Sequence, residues 1–238
     1  MLILLGFCLT TFALLPAAGT GSRMGATGPK QYTRLGGKPM LWHAANALMA
    51  APVEAVFVVL APSDSQFAQE DWSAFGTRLE PLYCGGETRR DSVYNGLVAA
   101  MAAVDADDWM LVHDAARPCL PRADLDLLVA ACSGDAIGGI LAIPCADTVK
   151  RAATDETGTV RIAATEDRSV LWLAQTPQMF RAGLLAEALR NARGATDEAS
   201  AVEQMGLKPR LIPGSRENLK VTYPEDVAIA EAILAGRN

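Results

Sequence analysis

The sequence predicts an α/β fold, a doubly wound and mostly parallel sheet, because short apolar runs alternate with segments of helical period along nearly the whole chain. Several of these runs are rich in β-branched residues, which suits strands that are buried on both faces. A chain of 238 residues can enclose one large core, and no low-complexity linker divides this one, so we expect a single domain over residues 1–238. Ligands of such sheets gather at the carboxyl ends of the strands.

The first part of the chain supplies most of the predicted strands. Each is a short apolar run, and the helices between them are indicated by apolar residues that recur at i, i+3, i+4 and i+7. In order, the predictions are a strand at about residues 11–15, a helix striped by Leu41, Ala44, Ala45 and Leu48, strands at 53–60 and 78–83, a helix striped by Val93, Gly96, Leu97 and Ala100 with Asp91 or Ser92 as its N-cap, a strand at 109–113, a helix striped by Leu125, Leu128, Val129 and Cys132, and a strand at 139–143.

A polar stretch at residues 147–168 interrupts this alternation. Only residues 159–162 resemble a strand, and residues 155–158 have the composition of a turn, so we predict a hairpin that projects from the sheet. A solvated excursion without a binding role is the alternative interpretation. The pattern then resumes with helices at about 182–190 and 198–205, a strand at 208–213, and a helix striped by Val227, Ala230 and Leu234.

Charge and cysteine content limit the partners of the chain. The net charge of −6 and the pI near 5.0 argue against a nucleic-acid partner, which would require clustered Lys and Arg. An anionic ligand must therefore be bound by local cations. The five cysteines are scattered, odd in number and never spaced as C-x-x-C, so neither a disulfide framework nor a zinc site is predicted. Reduced thiols in a cytoplasmic protein explain them better.

Residues 1–10 form an apolar extension of unknown role, for which a wrongly assigned start is one explanation. They contain no Lys or Arg, although a signal peptide begins with positive charge, and cleavage near Ala18 would separate the first strand from the loop after it. Gly6, Thr10 and Pro16 interrupt the apolar run, which makes it a poor membrane span. We therefore predict no membrane partner, with export as the alternative.

The most informative segment is the glycine-rich loop after the first strand, which contains Gly19, Gly21 and Gly25. Glycines permit positive φ and close approach to a ligand, so successive backbone N–H groups can converge on phosphate oxygens. Arg23 and Lys30 lie within and just after the loop, where they can neutralise phosphate charge. Together these features predict a site for a nucleoside triphosphate.

Two other kinds of glycine loop are excluded. No Gly-Lys-Ser or Gly-Lys-Thr closes this loop, so it is not a P-loop. It is not a dinucleotide fingerprint either, because its third glycine comes late for G-x-G-x-x-G and the strand near residues 55–60 has no acidic residue to hold a ribose. A purely structural turn between a strand and a helix remains the alternative.

Two further segments carry candidate ligand contacts. Asp114 follows an apolar strand, where a carboxylate can coordinate Mg²⁺ without being buried unpaired, and Arg117 either pairs with Asp114 or faces the ligand. A plain surface ion pair is the alternative. Gly85 and Gly86 form a second glycine turn, whose N–H groups suit a base edge or an anion, and Ser92 serves as a helix cap or as a ligand contact.

Thr196 and Lys220 are weaker candidates by themselves. Thr196 begins a Thr-Asp-Glu sequence that suits a helix N-cap first and a substrate contact second. Lys220 is predicted at the end of a short strand, where lysines are usually solvated, so a ligand-binding role for it depends on the other candidate residues.

The chain has only two histidines and no G-x-S-x-G sequence, which argues against a Ser-His-Asp hydrolase.

Taken together, the motifs resemble those of one enzyme family. In chain order they are P-A-A-G-x-G-x-R-M-G with P-K-Q-Y, G-G-x-x-R-x-x-S-V, V-H-D-A-A-R-P, D-T-V-K-R, T-P-Q, T-D-E-A and N-x-K-V-T-x-P-E-D. Their combination over about residues 14–234 is similar to that of the 2-C-methyl-D-erythritol 4-phosphate cytidylyltransferases.

The resemblance implies a Rossmann-like nucleotidyltransferase fold with a projecting β-arm. It also implies a reaction of non-mevalonate isoprenoid biosynthesis, in which the phosphate of methylerythritol phosphate attacks the α-phosphate of CTP and pyrophosphate leaves. Mg²⁺ or another divalent cation would assist. The arm at residues 147–168 would embrace a second subunit of a homodimer, so that Arg168 acts in the neighbouring site.

The resemblance also implies residue roles. They are, for catalysis, Arg23, Lys30 and Lys220; for the nucleotide, Ala17, Ala18, Gly19, Gly21, Gly85, Gly86, Ser92, Ala115 and Arg117; for methylerythritol phosphate, Thr148, Lys150, Arg168, Thr196 and Lys220; and for the metal ion, Asp114. The alternatives are a cytidylyltransferase for another polyol phosphate, such as ribitol 5-phosphate, and a nucleotide-binding protein without turnover.

Overall fold

A seven-stranded sheet forms the centre of the protein in a computed structural model, which describes residues 9–19 and 28–237. The order across this sheet is β11-β7-β10-β6-β1-β4-β5, and β2–β3 and β8–β9 are separate antiparallel pairs. The strands are β1 (Thr11–Pro16), β2 (Arg34–Leu35), β3 (Lys38–Pro39), β4 (Val56–Val59), β5 (Leu79–Leu82), β6 (Trp109–Val112), β7 (Gly138–Pro144), β8 (Lys150–Thr154), β9 (Val160–Thr165), β10 (Trp172–Arg181) and β11 (Arg210–Pro213).

The direction of the strands explains where a ligand can bind. Neighbouring strands of the large sheet are parallel except at β10, which runs antiparallel to both β6 and β7. From β1 the chain proceeds outward through β4 to β5, and then returns to the other side of β1 to form β6. This reversal opens a crevice beyond the carboxyl ends of β1 and β6.

Helices cover both faces of the sheet. The side chains of β1 alternate, so that Ala13 and Leu15 join one core layer and Phe12 and Leu14 the other. Helices α1 and α3 contribute to the first layer, and helices α2, α4 and α5 to the second. The helices of the described chain are α1 (Met40–Met49), α2 (Arg89–Ala100), α3 (Arg122–Ser133), α4 (Ala182–Asn191), α5 (Glu198–Glu203) and α6 (Glu225–Ala235).

The predicted fold class is confirmed, but one central strand was not predicted. Strand β10 lies between β6 and β7, and its buried part includes Gln175, Thr176 and Gln178. Apolar runs and alternation indicate strands only where buried positions carry apolar side chains. The buried run begins with Gln175, Thr176, Pro177 and Gln178, and only Met179 and Phe180 follow as buried apolar residues, so the apolar run is too short to predict a strand.

Two local predictions are wrong. Helix α2 begins at Arg89 with Thr88 as its N-cap, whose hydroxyl accepts a hydrogen bond from the N–H of Asp91 at 3.1 Å. Asp91 and Ser92 therefore lie in the first turn and do not cap the helix. Lys220 does not end a strand, because residues 218–222 are irregular.

The projecting β-arm predicted at residues 147–168 is confirmed. Strands β8 and β9 pair antiparallel, and every residue in them is exposed. The turn between them is closed by a hydrogen bond from the N–H of Gly158 to the carbonyl of Asp155 at 2.9 Å. Strand β8 was not predicted, because its exposed residues follow no apolar pattern.

The thiols in the described chain, Cys84, Cys119, Cys132 and Cys145, are free. Burial raises the pKa of Cys119 to about 11 and that of Cys132 to about 12, so both stay protonated at neutral pH.

No helix among the described residues has the length and apolar character needed to cross a bilayer.

Candidate functional site

A cleft of about 480 Å³ opens beyond the carboxyl ends of β1 and β6. It is lined by residues 16–19 after β1, residues 30–31, residues 86–89 together with Ser92 at the beginning of α2, residues 114–116 after β6, and Lys220. Segments that are far apart in the sequence thus meet at the predicted edge of the sheet. Two glycine-containing loops, cations and a carboxylate all line one space.

The first glycine loop contributes Ala17, Ala18 and Gly19 to the cleft wall. Arg23 and Gly21, which are also predicted to bind the nucleotide, lie outside the described residues.

Lys30 lines the cleft from the single helical turn Lys30–Tyr32. The amide of buried Gln31 donates to the carbonyl of Ala17 at 2.6 Å. The hydroxyl of Tyr32 contacts both carboxylate oxygens of Asp64 at 2.9 Å. These two contacts fix the turn on both sides and hold Lys30 next to the glycine loop.

The second glycine turn packs directly against the first loop. A Cβ atom at Gly85 would lie 2.3 Å from the Cβ of Ala18 and 2.8 Å from the carbonyl oxygen of Leu60, so no other residue fits there. The N–H of Gly86 donates to the hydroxyl of Ser92 at 3.0 Å. Ser92, which was predicted as a helix cap or a ligand contact, therefore stabilises the conformation of this turn.

This contact makes Gly85→Ala a test of how the two loops are coupled. We expect the added methyl group to displace Ala18 or Leu60, to lower the free energy of unfolding by about 1–3 kcal/mol, and to weaken nucleotide binding because the cleft wall moves. Chemical denaturation and calorimetric titration with CTP measure the two effects. Gly134→Ala is the matched control, since a Cβ at Gly134 meets nothing within 4 Å. Equal behaviour of the two variants would contradict the coupling.

Asp114 is the carboxylate at the floor of the cleft, directly after β6, as predicted. Its Oδ1 lies 2.9 Å from Nε of Arg89, its Oδ2 lies 2.7 Å from Nζ of Lys220, and Nε of Arg117 lies 4.0 Å from Oδ2. Burial alone would raise the pKa of Asp114, but the charges of Arg89 and Lys220 outweigh burial and hold its pKa well below the usual range. Asp114 is therefore a stable anion among cations.

Arg89 and Glu198 are site residues to which no role was assigned from the sequence. The guanidinium NH1 and NH2 of Arg89 donate to the two carboxylate oxygens of Glu198 at 2.7 and 3.0 Å. Burial raises the pKa of Glu198, whereas the carboxylates of Glu198 and Asp114 overcome the effect of burial on Arg89 and raise its pKa. Both residues lie in quoted motifs, G-G-x-x-R and T-D-E-A, and those motifs are the only signal for them.

A chain of hydrogen bonds holds Asp114 from behind. Nε2 of His113 contacts the carbonyl of Arg117 at 3.0 Å, and since a carbonyl only accepts, Nε2 carries the proton. Nδ1 then accepts from the hydroxyl of Thr176 at 3.0 Å, and that oxygen accepts from the N–H of Asp114 at 2.9 Å. Burial lowers the pKa of His113 to about 4, so its neutral form persists at neutral pH. It acts here as a structural residue.

Arg117 lies beneath the cleft and does not line it. It donates to the carbonyl of Asn218 at 2.6 Å, and the Asn218 amide donates to the carbonyl of Thr176 at 2.8 Å. The N–H of Val221 donates to the carbonyl of Ala116 at 2.9 Å. Arg117 thereby supports the irregular segment that presents Lys220 to the cleft.

The remaining predicted substrate residues lie outside the cleft lining. Thr148, Lys150 and Arg168 are exposed on the arm, where Nζ of Lys150 donates to the hydroxyl of Thr165 at 2.7 Å and Arg168 contacts the carbonyl of Ala146. Thr196 is also exposed, and the neighbouring Asp197 caps α5 in a capping box with Ser200. None of these four residues lines the cleft that Lys30 and Lys220 line.

The donor set of the cleft suits a polyanion that brings a cation with it. Among the described residues no group of three or more His, Cys, Asp or Glu side chains could hold a metal ion. Mg²⁺, however, commonly takes one or two carboxylates and completes its shell with substrate phosphates and water. Asp114 together with a triphosphate meets that requirement, so the residues present fit a divalent cation that shares its ligands with a nucleotide.

Comparisons with known proteins point to one family. The family model described as IspD, 2-C-methyl-D-erythritol 4-phosphate cytidylyltransferase, matches residues 11–236. The chain is 57% identical over 228 residues to the protein of that name from Dechloromonas aromatica (strain RCB), with 95% of this chain and 98% of the relative covered. It is 53% identical over 227 residues to the namesake from Azoarcus sp. (strain BH72), covering 95% and 94% of the two chains.

A solved structure shares the fold over the same extent. The crystal structure of a 4-diphosphocytidyl-2C-methyl-D-erythritol synthase superimposes with a TM-score of 0.81 at 42% identity, and covers 95% of this chain and 99% of its own.

Proposed function

The chain belongs to the 2-C-methyl-D-erythritol 4-phosphate cytidylyltransferase family, and from this membership we propose how its cleft performs cytidylyl transfer. The protein is a nucleotidyltransferase that acts in the synthesis of isoprenoid precursors. Its substrates are CTP and 2-C-methyl-D-erythritol 4-phosphate, and its products are pyrophosphate and 4-diphosphocytidyl-2-C-methyl-D-erythritol. The observation that carries the proposal is the convergence of Lys30, Arg89 and Lys220 on a cleft between two glycine turns.

The triphosphate of CTP lies along the first glycine loop. Backbone N–H groups at Ala18 and Gly19 and the ammonium of Lys30 neutralise its charge, and Arg23 is assigned the same task from the sequence. Ala17 lines the cleft without offering its N–H, which donates to the carbonyl of Val59 at 2.8 Å. Attack on the α-phosphate gathers negative charge on the oxygens of that phosphorus, and fixed cations stabilise this charge most when the site excludes water. The attacking phosphate is already an anion, so the reaction requires alignment and charge neutralisation rather than a general base.

Cytosine binds at the second glycine turn. Gly85 and Gly86 bring the backbone close to the cleft, and Ser92 holds the turn by accepting from the N–H of Gly86. The N–H groups of both glycines, which were predicted to meet the base, are already donated to Leu60 and Ser92, so the contact with the exocyclic amino group of cytosine falls to the carbonyl oxygens of the turn. Ala115 also lines the cleft, and Arg117 supports the segment of Lys220 from below.

Methylerythritol phosphate is bound by Lys220 and Thr196 of one subunit and by the arm of another. Lys220 lies in the cleft, whereas Thr148, Lys150 and Arg168 are exposed on the arm away from the cleft of their own chain. A homodimer in which each arm reaches the neighbouring cleft brings the two sets together.

Asp114 and the nucleotide phosphates hold a divalent cation, taken to be Mg²⁺. When bound, such an ion neutralises phosphate charge and orients the phosphate oxygens. Asp114 suits this role because its low pKa keeps it ionised in a buried place.

The free thiols of the described chain and its net charge of −6 support a cytoplasmic enzyme without a nucleic-acid partner.

Pyrophosphate release tests the proposed function directly. We expect release when CTP, methylerythritol phosphate and Mg²⁺ are mixed with the protein, and none when any of the three is omitted. Faster release with ribitol 5-phosphate than with methylerythritol phosphate would favour the alternative polyol substrate. Calorimetric binding of CTP without any release would indicate a nucleotide-binding protein that lacks turnover.

The arm provides a separate prediction about assembly. Val160 and Ile162 on β9 are 70% and 68% exposed, which is unusual for β-branched apolar residues on a monomer surface. Val160→Asp combined with Ile162→Asp is expected to convert a dimer into a monomer in light scattering and to raise KM for methylerythritol phosphate, while CTP binding is retained. Leu127→Asp, at an exposed leucine on α3, should leave the dimer intact. A wild-type monomer, or a dimer that survives the double change, would contradict the assignment.

A further inference from the structure

We infer that Arg89 and Glu198 form a positioning pair that keeps Asp114 in place while Lys220 is transferred to the phosphate of the incoming substrate. The inference rests on the proposed function and adds two residues to it. The two residues are 109 positions apart in the sequence and meet at the cleft floor, where Nε of Arg89 contacts Asp114 and its two terminal nitrogens contact Glu198.

Each of the three guanidinium nitrogens of Arg89 donates one hydrogen bond to one of the two carboxylates. Glu198 is fully buried and accepts one hydrogen bond from each terminal nitrogen of Arg89 in a bidentate pair, which fixes the plane and direction of the guanidinium. The Nε–H of Arg89 then points away from Glu198 and donates to Oδ1 of Asp114 at 2.9 Å. A planar arginine fork can hold two carboxylates in a fixed relation, which a lysine cannot do.

The pair is not required to begin the helices that carry it. Thr88 already caps α2, and Asp197 with Ser200 forms a complete capping box at the beginning of α5. Burial of a carboxylate such as Glu198 carries a large desolvation cost, and replacing a buried ion pair by apolar residues is often neutral or stabilising. A pair that is costly and unnecessary for the helices is explained better by its effect on Asp114.

Asp114 shares its two oxygens between a fixed and a movable cation. Oδ1 faces Arg89, whereas Oδ2 faces Lys220, whose side chain is 42% exposed in the cleft. A substrate phosphate competes with Asp114 for the ammonium of Lys220. Because Arg89 stays in place, Asp114 remains neutralised when Lys220 moves, and the exchange costs less free energy than it would with Lys220 as the principal partner.

Steady-state kinetics on single and double variants test this role. Glu198→Gln keeps the shape of the side chain but loses the bidentate carboxylate, and Arg89→Ala removes the link to Asp114. We expect both to raise KM for methylerythritol phosphate by about tenfold to a hundredfold, since misplacement of a contact by about 1 Å has effects of that size. KM for CTP should rise less, because Asp114 reaches the nucleotide only through the shared cation. The double variant should be no worse than Arg89→Ala, because the two residues act as a unit.

The controls separate positioning from stability. Glu203→Gln changes an exposed glutamate on the same helix and should leave both KM values unaltered. If a single variant does not fold, the double variant, which leaves neither charge buried alone, still reports the KM values. A lower melting temperature with unchanged KM for methylerythritol phosphate, or a rise confined to KM for CTP, would overturn the inference. Absence of pyrophosphate release by the wild type would instead overturn the proposed function.

Discussion

Replacement of Lys30 by alanine is expected to lower kcat by about a hundredfold or more while the protein keeps its fold. Lys30 lies in the cleft on a turn that Gln31 and Tyr32 fix on both sides, so its charge is already in place before the nucleotide binds. A cation that is held in advance stabilises the charge that develops during phosphoryl transfer without reorganisation. The rate of pyrophosphate release at saturating CTP measures the effect.

The control for this change is Lys208→Ala, at an exposed lysine outside the cleft lining. It removes the same net charge, so a general electrostatic effect on CTP association would appear in both variants. We expect only Lys30→Ala to lose turnover. Arg23→Ala should also lower kcat, because the sequence places this cation in the same glycine-rich loop. Unchanged kcat in both Lys30→Ala and Arg23→Ala would refute the proposed use of the glycine loop.

The elements that build the cleft were predictable because their side chains follow regular patterns. Strands β1 and β6 are apolar runs, and Asp114 is the first carboxylate after β6, so the edge of the sheet and its anion were predicted together. Strand β10 was not predicted, since Gln175 and Gln178 are buried by hydrogen bonds rather than by apolar packing.

The pairing inside the site could not be read from the sequence. Arg89 and Glu198 are separated by 109 positions, and both residue types are usually solvated, so neither spacing nor composition indicates that they meet. For Arg117 the position was predictable from the sequence but the role was not. Its place near Asp114 was predicted, but only the fold shows that it supports the Lys220 segment from below instead of lining the cleft.

The second large effect is expected from Asp114→Asn, which removes the negative charge shared by Arg89, Lys220 and Arg117. Asparagine keeps the shape of the side chain, but it leaves three cations near one another with Glu198 as the remaining buried anion. Breaking a buried ion pair by removing one partner costs about 3–5 kcal/mol, so we expect the free energy of unfolding to fall by about 3 kcal/mol or more. Urea denaturation in metal-free buffer measures this loss.

Two further measurements identify the cause as charge. Inorganic pyrophosphate should raise the melting temperature of Asp114→Asn more than that of the wild type, because the anion replaces the missing carboxylate charge. The pKa of Asp114 is lowered in the folded state, so its contribution to stability is present above its ordinary pKa of 3.8 and is lost as pH falls below that value. The wild type should therefore lose stability in acid more steeply than the variant.

The matched control is Asp126→Asn, which removes a half-exposed carboxylate that pairs with Arg122 on α3. Exposed pairs of this kind contribute about 0–1 kcal/mol, so this variant should unfold close to the wild type and respond to pyrophosphate as the wild type does. If Asp114→Asn behaves in the same way, the cations around Asp114 do not depend on its charge. In that case the cations around Asp114 would not form a binding site for a polyanion, and the proposed role of Asp114 in nucleotide binding would be wrong.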